Sequence, residues 1–197
     1  MVKAFTLAAH MEQLASVVLQ NEWSGINDES LTPEAGEEAA LRLIQGTSTT
    51  GGKIYVIGNG GSAAIASHAV TDFVNNNGLR ATTLHEPALL TCLTNDYGYE
   101  TAFARLVERM AEKIDVLVAI SSSGRSANIL NAAEKMRTIG GTVFTLSGFD
   151  LDNSLRNMGN VNIWVNSHNY GLVETVHGFI LHHLADRLHL EDKERMT

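Results

Sequence analysis

Cysteine and proline are nearly absent from this sequence, positive charge is thinly spread, and no long apolar run occurs. Cys92 is the single cysteine, which excludes an intramolecular disulfide and leaves no thiolate cluster for zinc or iron. A reducing, cytoplasmic setting fits that usage. The two prolines, Pro33 and Pro87, stand at helix starts rather than in a linker, and no repeat or low-complexity tract divides the chain. The 14 Lys and Arg residues form no cluster, and against 22 Asp and Glu they leave a formal net charge of -8. A nucleic-acid partner would require a basic stripe to neutralise its phosphates, so any phosphate bound here is held locally. Lys3, His10, Glu12 and Gln13 interrupt the N-terminal stretch from Met1 to Leu19, and nothing approaches the roughly 20 apolar residues of a membrane span. A soluble protein without an export signal is expected. What is present suits one core: 197 residues, 44% hydrophobic and 18% charged, predict a single domain over 1–197 with part of its surface covered by partner subunits.

Leu7, Met11, Leu14, Val17 and Val18 recur at helical spacing and predict a first helix over Phe5 to Glu22. Gly25 to Leu31 reads as a loop, and Thr32-Pro33 opens a second helix, as N-cap and first helical residue, that runs to about Gln45. Residues 1–47 thus hold the two N-terminal helices, and from 48 onward the pattern changes. Short β-rich runs at Lys53 to Ile57, Ala81 to Leu84, Val116 to Ile120, Thr142 to Leu146 and Val161 to Val165 alternate with helical stretches. Such alternation means βαβ units and a largely parallel, five-stranded sheet. A last helix from Gly171 to about Leu188 lies outside the sheet pattern with the two N-terminal ones. These helices are expected to form a bundle with a neighbouring subunit.

Ligands of open parallel sheets bind beyond the carboxyl ends of the strands, and two strand-to-helix junctions are unusual. Gly58-Asn59-Gly60-Gly61-Ser62 follows the first strand, and Ser121-Ser122-Ser123-Gly124-Arg125-Ser126 follows the third. Glycines let a backbone approach an anion closely, while a helix N-terminus offers free N–H groups and partial positive charge. Serine hydroxyls add donors that need no lysine. Either loop alone would pass for a glycine turn with a serine cap; two in equivalent positions point to a phosphate cradle. Gly58-x-Gly60-x-x-Ala63, with Glu86 further on, also satisfies the relaxed dinucleotide fingerprint. Nicotinamide binding, however, gives the second loop no purpose, and no G-x-x-x-x-G-K-[ST] string exists for a P-loop.

On the helix after the glycine loop, His68 and Asp72 are four residues apart and share a face. On the last helix Glu174 and His182 are eight apart with Gly178 midway. Two imidazoles and two carboxylates suffice for a four-ligand zinc site, or for three ligands plus a catalytic group. The bland alternative is a satisfied buried histidine and an exposed helix acid. His177 and His183 read as structural or surface residues, and His10, His85, His168 and His189 carry no argument.

The strings Val56-Ile57-Gly58-Asn59-Gly60-Gly61-Ser62-Ala63 and Ala119-Ile120-Ser121-Ser122-Ser123-Gly124-Arg125-Ser126, with Asn95-Asp96 between them and the final histidine-bearing helix, resemble the sugar isomerase (SIS) domain family, most closely its phosphoheptose isomerase branch. The resemblance covers nearly all of the chain after the N-terminal helices. It implies a three-layer α/β/α sandwich of flavodoxin-like topology and a homotetramer with active sites between subunits. It also implies exchange of sedoheptulose 7-phosphate with glycero-manno-heptose 7-phosphate. A non-catalytic relative, the DnaA initiator-associating protein, shares the framework and stands as the alternative.

Members of that branch carry a His and an acid on the first of these helices and a Gln and a His on the last, and His68, Asp72, Glu174 and His182 fall at those positions. Asp72 stands where Glu is usual and reaches one methylene less; Glu174 stands where Gln is usual and makes the cluster more negative, favouring a divalent cation. Asn76 occupies a position where many relatives have arginine. The resemblance implies that Asp72 and His182 relay protons while zinc, held by His68, Glu174 and one or both of those residues, polarises a carbonyl. Asn59, Gly60, Gly61, Ser62, Ser121, Ser122, Ser123 and Ser126 would hold the phosphate. Asn95 and Asp96 would contact sugar hydroxyls; a helix cap before Tyr97 is the competing reading.

Overall fold

A computed structural model describes residues 6–196; the expected start of the first helix at Phe5 lies outside them. Every residue of β3 (Ile54–Ile57), β5 (Val116–Ser121) and β7 (Val161–Val165) is buried, as strands covered on both faces must be. With β6 (Thr142–Gly148) and the edge strand β4 (Ala81–Thr83) they form a parallel array ordered β4-β3-β5-β6-β7, in registers such as Ile54↔Val116 and Val116↔Thr142. That is the flavodoxin-like order, with its switch point between β3 and β5.

The sheet has seven strands rather than the expected five. β1 (Glu22–Ser24) and β2 (Ser30–Leu31) extend it antiparallel from β7, with Trp23 opposite Ile163 and Leu31 opposite Trp23. Helix α1 (Leu7–Leu19) therefore ends before Glu22, because the open edge of β7 claims the backbone beyond it. Trp23 is buried and stacks on Phe144 with ring centroids 6.5 Å apart. Between β1 and β2 the chain turns through Asn27 and Asp28 at φ 59° and 61°, a left-handed conformation that short polar side chains tolerate.

Alternate strand residues face opposite layers. Val56, Val118, Ile120 and Ile163 pack under α2 (Pro33–Thr49), α3 (Gly61–Asn75) and α7 (Tyr170–Met196), with α1 outermost. Tyr55, Leu117, Ala119 and Val143 pack under α4 (Pro87–Tyr97), α5 (Tyr99–Met110) and α6 (Ala127–Thr138). Among the described residues no helix is long and apolar enough to cross a membrane. No α1 residue is buried, and Leu7, Met11 and Leu19 are exposed.

His177 fastens α7 to the sheet. It is fully buried, and a ring nitrogen, Nε2, lies 3.0 Å from the Ser147 carbonyl; a carbonyl only accepts, so Nε2 carries the proton. Burial outweighs that bond and pushes the imidazole from its ordinary 6.5 down to about 4. Below pH 6.5 the unfolded chain binds a proton here that the folded one refuses until about pH 4. Stability is therefore lost as pH falls through that window, by roughly 3 kcal/mol in all. Thermal midpoints measured from pH 7 to 4.5 should fall more steeply in the native protein than in His177→Gln; parallel curves would refute this assignment.

Candidate active site

Both phosphate-type loops leave the sheet at its switch point, one after β3 and one after β5. The Gly58 N–H donates to His85 Nε2 at 3.4 Å, and the loop is so tight that a Cβ on Gly58 would stand 2.5 Å from the Ser62 carbonyl carbon. Gly60, at φ 55° and ψ -121°, opens α3 without a side-chain cap, so the first N–H groups of that helix face outward with its positive dipole end. Gly58→Ala should consequently displace the loop and weaken phosphate binding by about a hundredfold, since a contact with backbone cannot relax as a side chain can; calorimetric titration with inorganic phosphate measures it, and unchanged affinity would contradict the tight turn.

In the second loop Ser121 donates to Ser126 Oγ at 3.3 Å, and the Ser122 hydroxyl is buried with no partner. A buried hydroxyl without a bond is costly, which makes Ser122 a donor waiting for an acceptor. Arg125 does not serve the loop: its guanidinium pairs with Asp152 at 2.8 Å and Asp150 at 3.4 Å. A cavity of about 140 Å³ lies between Ser62 on one side and Ser121, Ser122, Ser123 and Ser126 on the other, with Tyr170 and Glu174 contributed by α7.

Glu174 also lines a wider cavity of about 560 Å³ together with His68, Gly178 and His182. Its carboxylate packs against Gly61, where a Cβ would collide with both oxygens. The single side chain thus joins the hydroxyl-lined space to the imidazole-lined one. In the latter, His182 Nδ1 is 2.9 Å and His68 Nε2 3.4 Å from the same oxygen, Oδ2 of Asp72. Asp72 is 6% exposed, and its other oxygen accepts from Asn76 at 3.4 Å. Asp186 stands 3.7 Å from His182 Nε2. The hydrogen bond to Asp72, aided by the charges of Asp186 and Asp72, raises the His182 pKa above the ordinary histidine value.

One potential ligand atom from each of His68, Asp72 and His182 lies within 4.8 Å of the others. Two imidazoles and a carboxylate with an open side fit zinc, which takes three protein ligands and a fourth exchangeable one at catalytic centres. Glu174 is outside this group. It precedes His182 by eight residues, about 12 Å along a helix, so sharing a stripe does not bring the two together.

Residues 29–148 match the SIS domain family. The chain is 38% identical to the phosphoheptose isomerase of Helicobacter pylori strain HPAG1 over 141 residues, 68% of this chain and 73% of that one. It belongs to the phosphoheptose isomerase family of SIS-domain proteins. The phosphoheptose isomerase of Helicobacter hepaticus is 38% identical over 82% of this chain and 84% of its own. The solved phosphoheptose isomerase of Neisseria gonorrhoeae superimposes with a TM-score of 0.79 at 27% identity, covering 92% of this chain and 97% of that one.

Within that family frame, Asn95 and Asp96 occupy the last turn of α4, exposed and bonded to each other at 3.0 Å. They line neither cavity and cap no helix, for Gly98 separates α4 from α5. Residues that the sequence reading passed over do stand at the site. His85 holds the glycine loop, and Asp186 had a legible signal in its i,i+4 spacing from His182. Asn128 and Tyr99 bond Asn59; neither has a sequence signal beyond lying near a helix start.

Proposed function

We propose that this protein is an aldose–ketose isomerase that interconverts sedoheptulose 7-phosphate and D-glycero-D-manno-heptose 7-phosphate. The observation that carries the reading is the pair of cavities joined at Glu174, one lined by serines and the other by His68 and His182, with the buried Asp72 hydrogen-bonded to His182. A heptose 7-phosphate carries its anion at one end and its reacting carbons, C1 and C2, at the other. Ser62, Ser121, Ser122, Ser123 and Ser126, with the N–H groups of Asn59, Gly60 and Gly61, take the phosphate. Glu174 meets the sugar between them.

The reaction removes a proton from C1 of the open-chain ketose, passes through an enediol and returns a proton to C2. Asp72 and His182 are the relay: the carboxylate accepts, and the imidazolium, which Asp72 stabilises, donates to the developing oxyanion. When zinc is bound, His68, Asp72 and a neutral His182 would hold it, with Glu174 outside that group, and the metal would supply polarisation of the carbonyl oxygen in place of the imidazolium. The exposed apolar residues of α1 support burial of that helix in a homotetramer. The chain is read as one cytoplasmic domain, 1–197.

The test is a ketose-phosphate isomerisation assay with elemental analysis on the same preparation. Turnover of sedoheptulose 7-phosphate by metal-containing protein is the expected result. Absence of both turnover and metal across several sugar phosphates would instead mark a binding module of the DnaA initiator-associating type.

A further inference from the structure

The side chain of Asn59 is already committed. Its Nδ2 donates to Asn128 Oδ1 at 2.9 Å, and its Oδ1 accepts both from Asn128 Nδ2 at 2.8 Å and from the Tyr99 hydroxyl at 2.6 Å. Both lone-pair directions of Oδ1 are therefore filled. Asn59 belongs to the glycine loop, Asn128 to the first turn of α6 beyond the serine loop, and Tyr99 begins α5. Asn128 is only 4% exposed, and a buried amide that lost these partners would be left unsatisfied. The reciprocal amide pair thus ties the two halves of the cradle together, and the tyrosine adds a bond from a third element.

A cradle built on hydroxyls and N–H groups needs such a tie. A lysine or arginine attracts an anion over several ångströms, but hydroxyl and amide donors act only within about 3.2 Å and at favourable angles. The cationic side chain of the serine loop, Arg125, is held by Asp150 and Asp152. Phosphate affinity is then set by how closely the loops are spaced. We propose that Asn128 and Tyr99 are positioning residues that act through Asn59 to set the separation of the two loops, without touching the phosphate themselves. This rests on the reading of the loops as the phosphate site.

The experiment titrates inorganic phosphate into the full-length protein by calorimetry and measures kcat and KM for sedoheptulose 7-phosphate. It uses wild type, Asn128→Ala and Tyr99→Phe, and each of these again in an Asn59→Ala background. Asn128→Ala should weaken phosphate about tenfold or more and raise KM in parallel with kcat within about threefold; Tyr99→Phe should weaken it about threefold to fivefold. Added to Asn59→Ala, either change should cost less than about twofold further, because the shared partner is gone. Wild-type phosphate affinity in both variants overturns the proposal, as does a full effect persisting without Asn59 or a loss confined to kcat. Should Asn128→Ala not fold, Tyr99→Phe decides alone, since that residue is 42% exposed and loses only a hydroxyl. Failure of the wild type itself to take up phosphate overturns the cradle reading, and this inference with it.

Discussion

His182→Ala is expected to lower kcat for the ketose–aldose exchange by roughly a thousandfold while inorganic phosphate binds within about threefold of its native affinity. The split follows from the division of the site. His182 lines the wider cavity and does not line the serine cavity, so the anion does not sense its loss. Its side chain is 48% exposed and its ion-pair partners are Asp72 and Asp186, so little packing is lost and the thermal midpoint should stay within a few degrees. Initial rates, a phosphate titration and a melting curve on one preparation decide the matter. Retained turnover would remove His182 from the proton relay, and loss of phosphate binding together with turnover would mean that the two cavities are not independent.

Asp72→Asn should reduce zinc affinity by about a hundredfold or more, with turnover falling alongside it. One oxygen of Asp72 faces both imidazoles, His182 at 2.9 Å and His68 at 3.4 Å. No other described carboxylate joins them within 4.8 Å. An amide of the same shape has no charge to offer a cation. Chelator competition followed by elemental analysis gives a readout that does not depend on activity. Stoichiometric zinc in the asparagine variant after dialysis would exclude Asp72 as a ligand, whereas a wild type that binds no zinc would confine the group to acid–base work.

Much of the site was legible because its signals are local. A strand followed by Gly58-Asn59-Gly60-Gly61-Ser62 announces an anion-binding helix start through backbone chemistry alone, and the serine loop repeats it after β5. The i,i+4 spacing of His68 and Asp72 places both on one face of α3 whatever the helix packs against. The parallel strands were equally plain, since buried apolar runs alternating with helices admit few arrangements. Long-range geometry was not legible. The bond between His182 and Asp72 spans 110 residues; helical spacing sets Glu174 and His182 about 12 Å apart along α7, but which of them meets His68 and Asp72 depends on how α7 packs against α3. β1 and β2 carry too few residues for periodicity to register, and they exist because β7 leaves an edge to pair. Asn95 and Asp96 could be read as a helix cap before Tyr97, but helix α4 continues through them.

By itself, then, the sequence determined that this protein is α/β and that two loops after parallel strands can hold a phosphate, because both follow from the hydrogen-bonding and conformational preferences of residues near one another in the chain. Only the tertiary structure decided what lies beside those loops. It brought the imidazole of α7 to the carboxylate of α3, set Glu174 between the two cavities and joined the loops through Asn59 and Asn128, since such contacts depend on how separate helices pack on the sheet and leave no periodic trace in the chain.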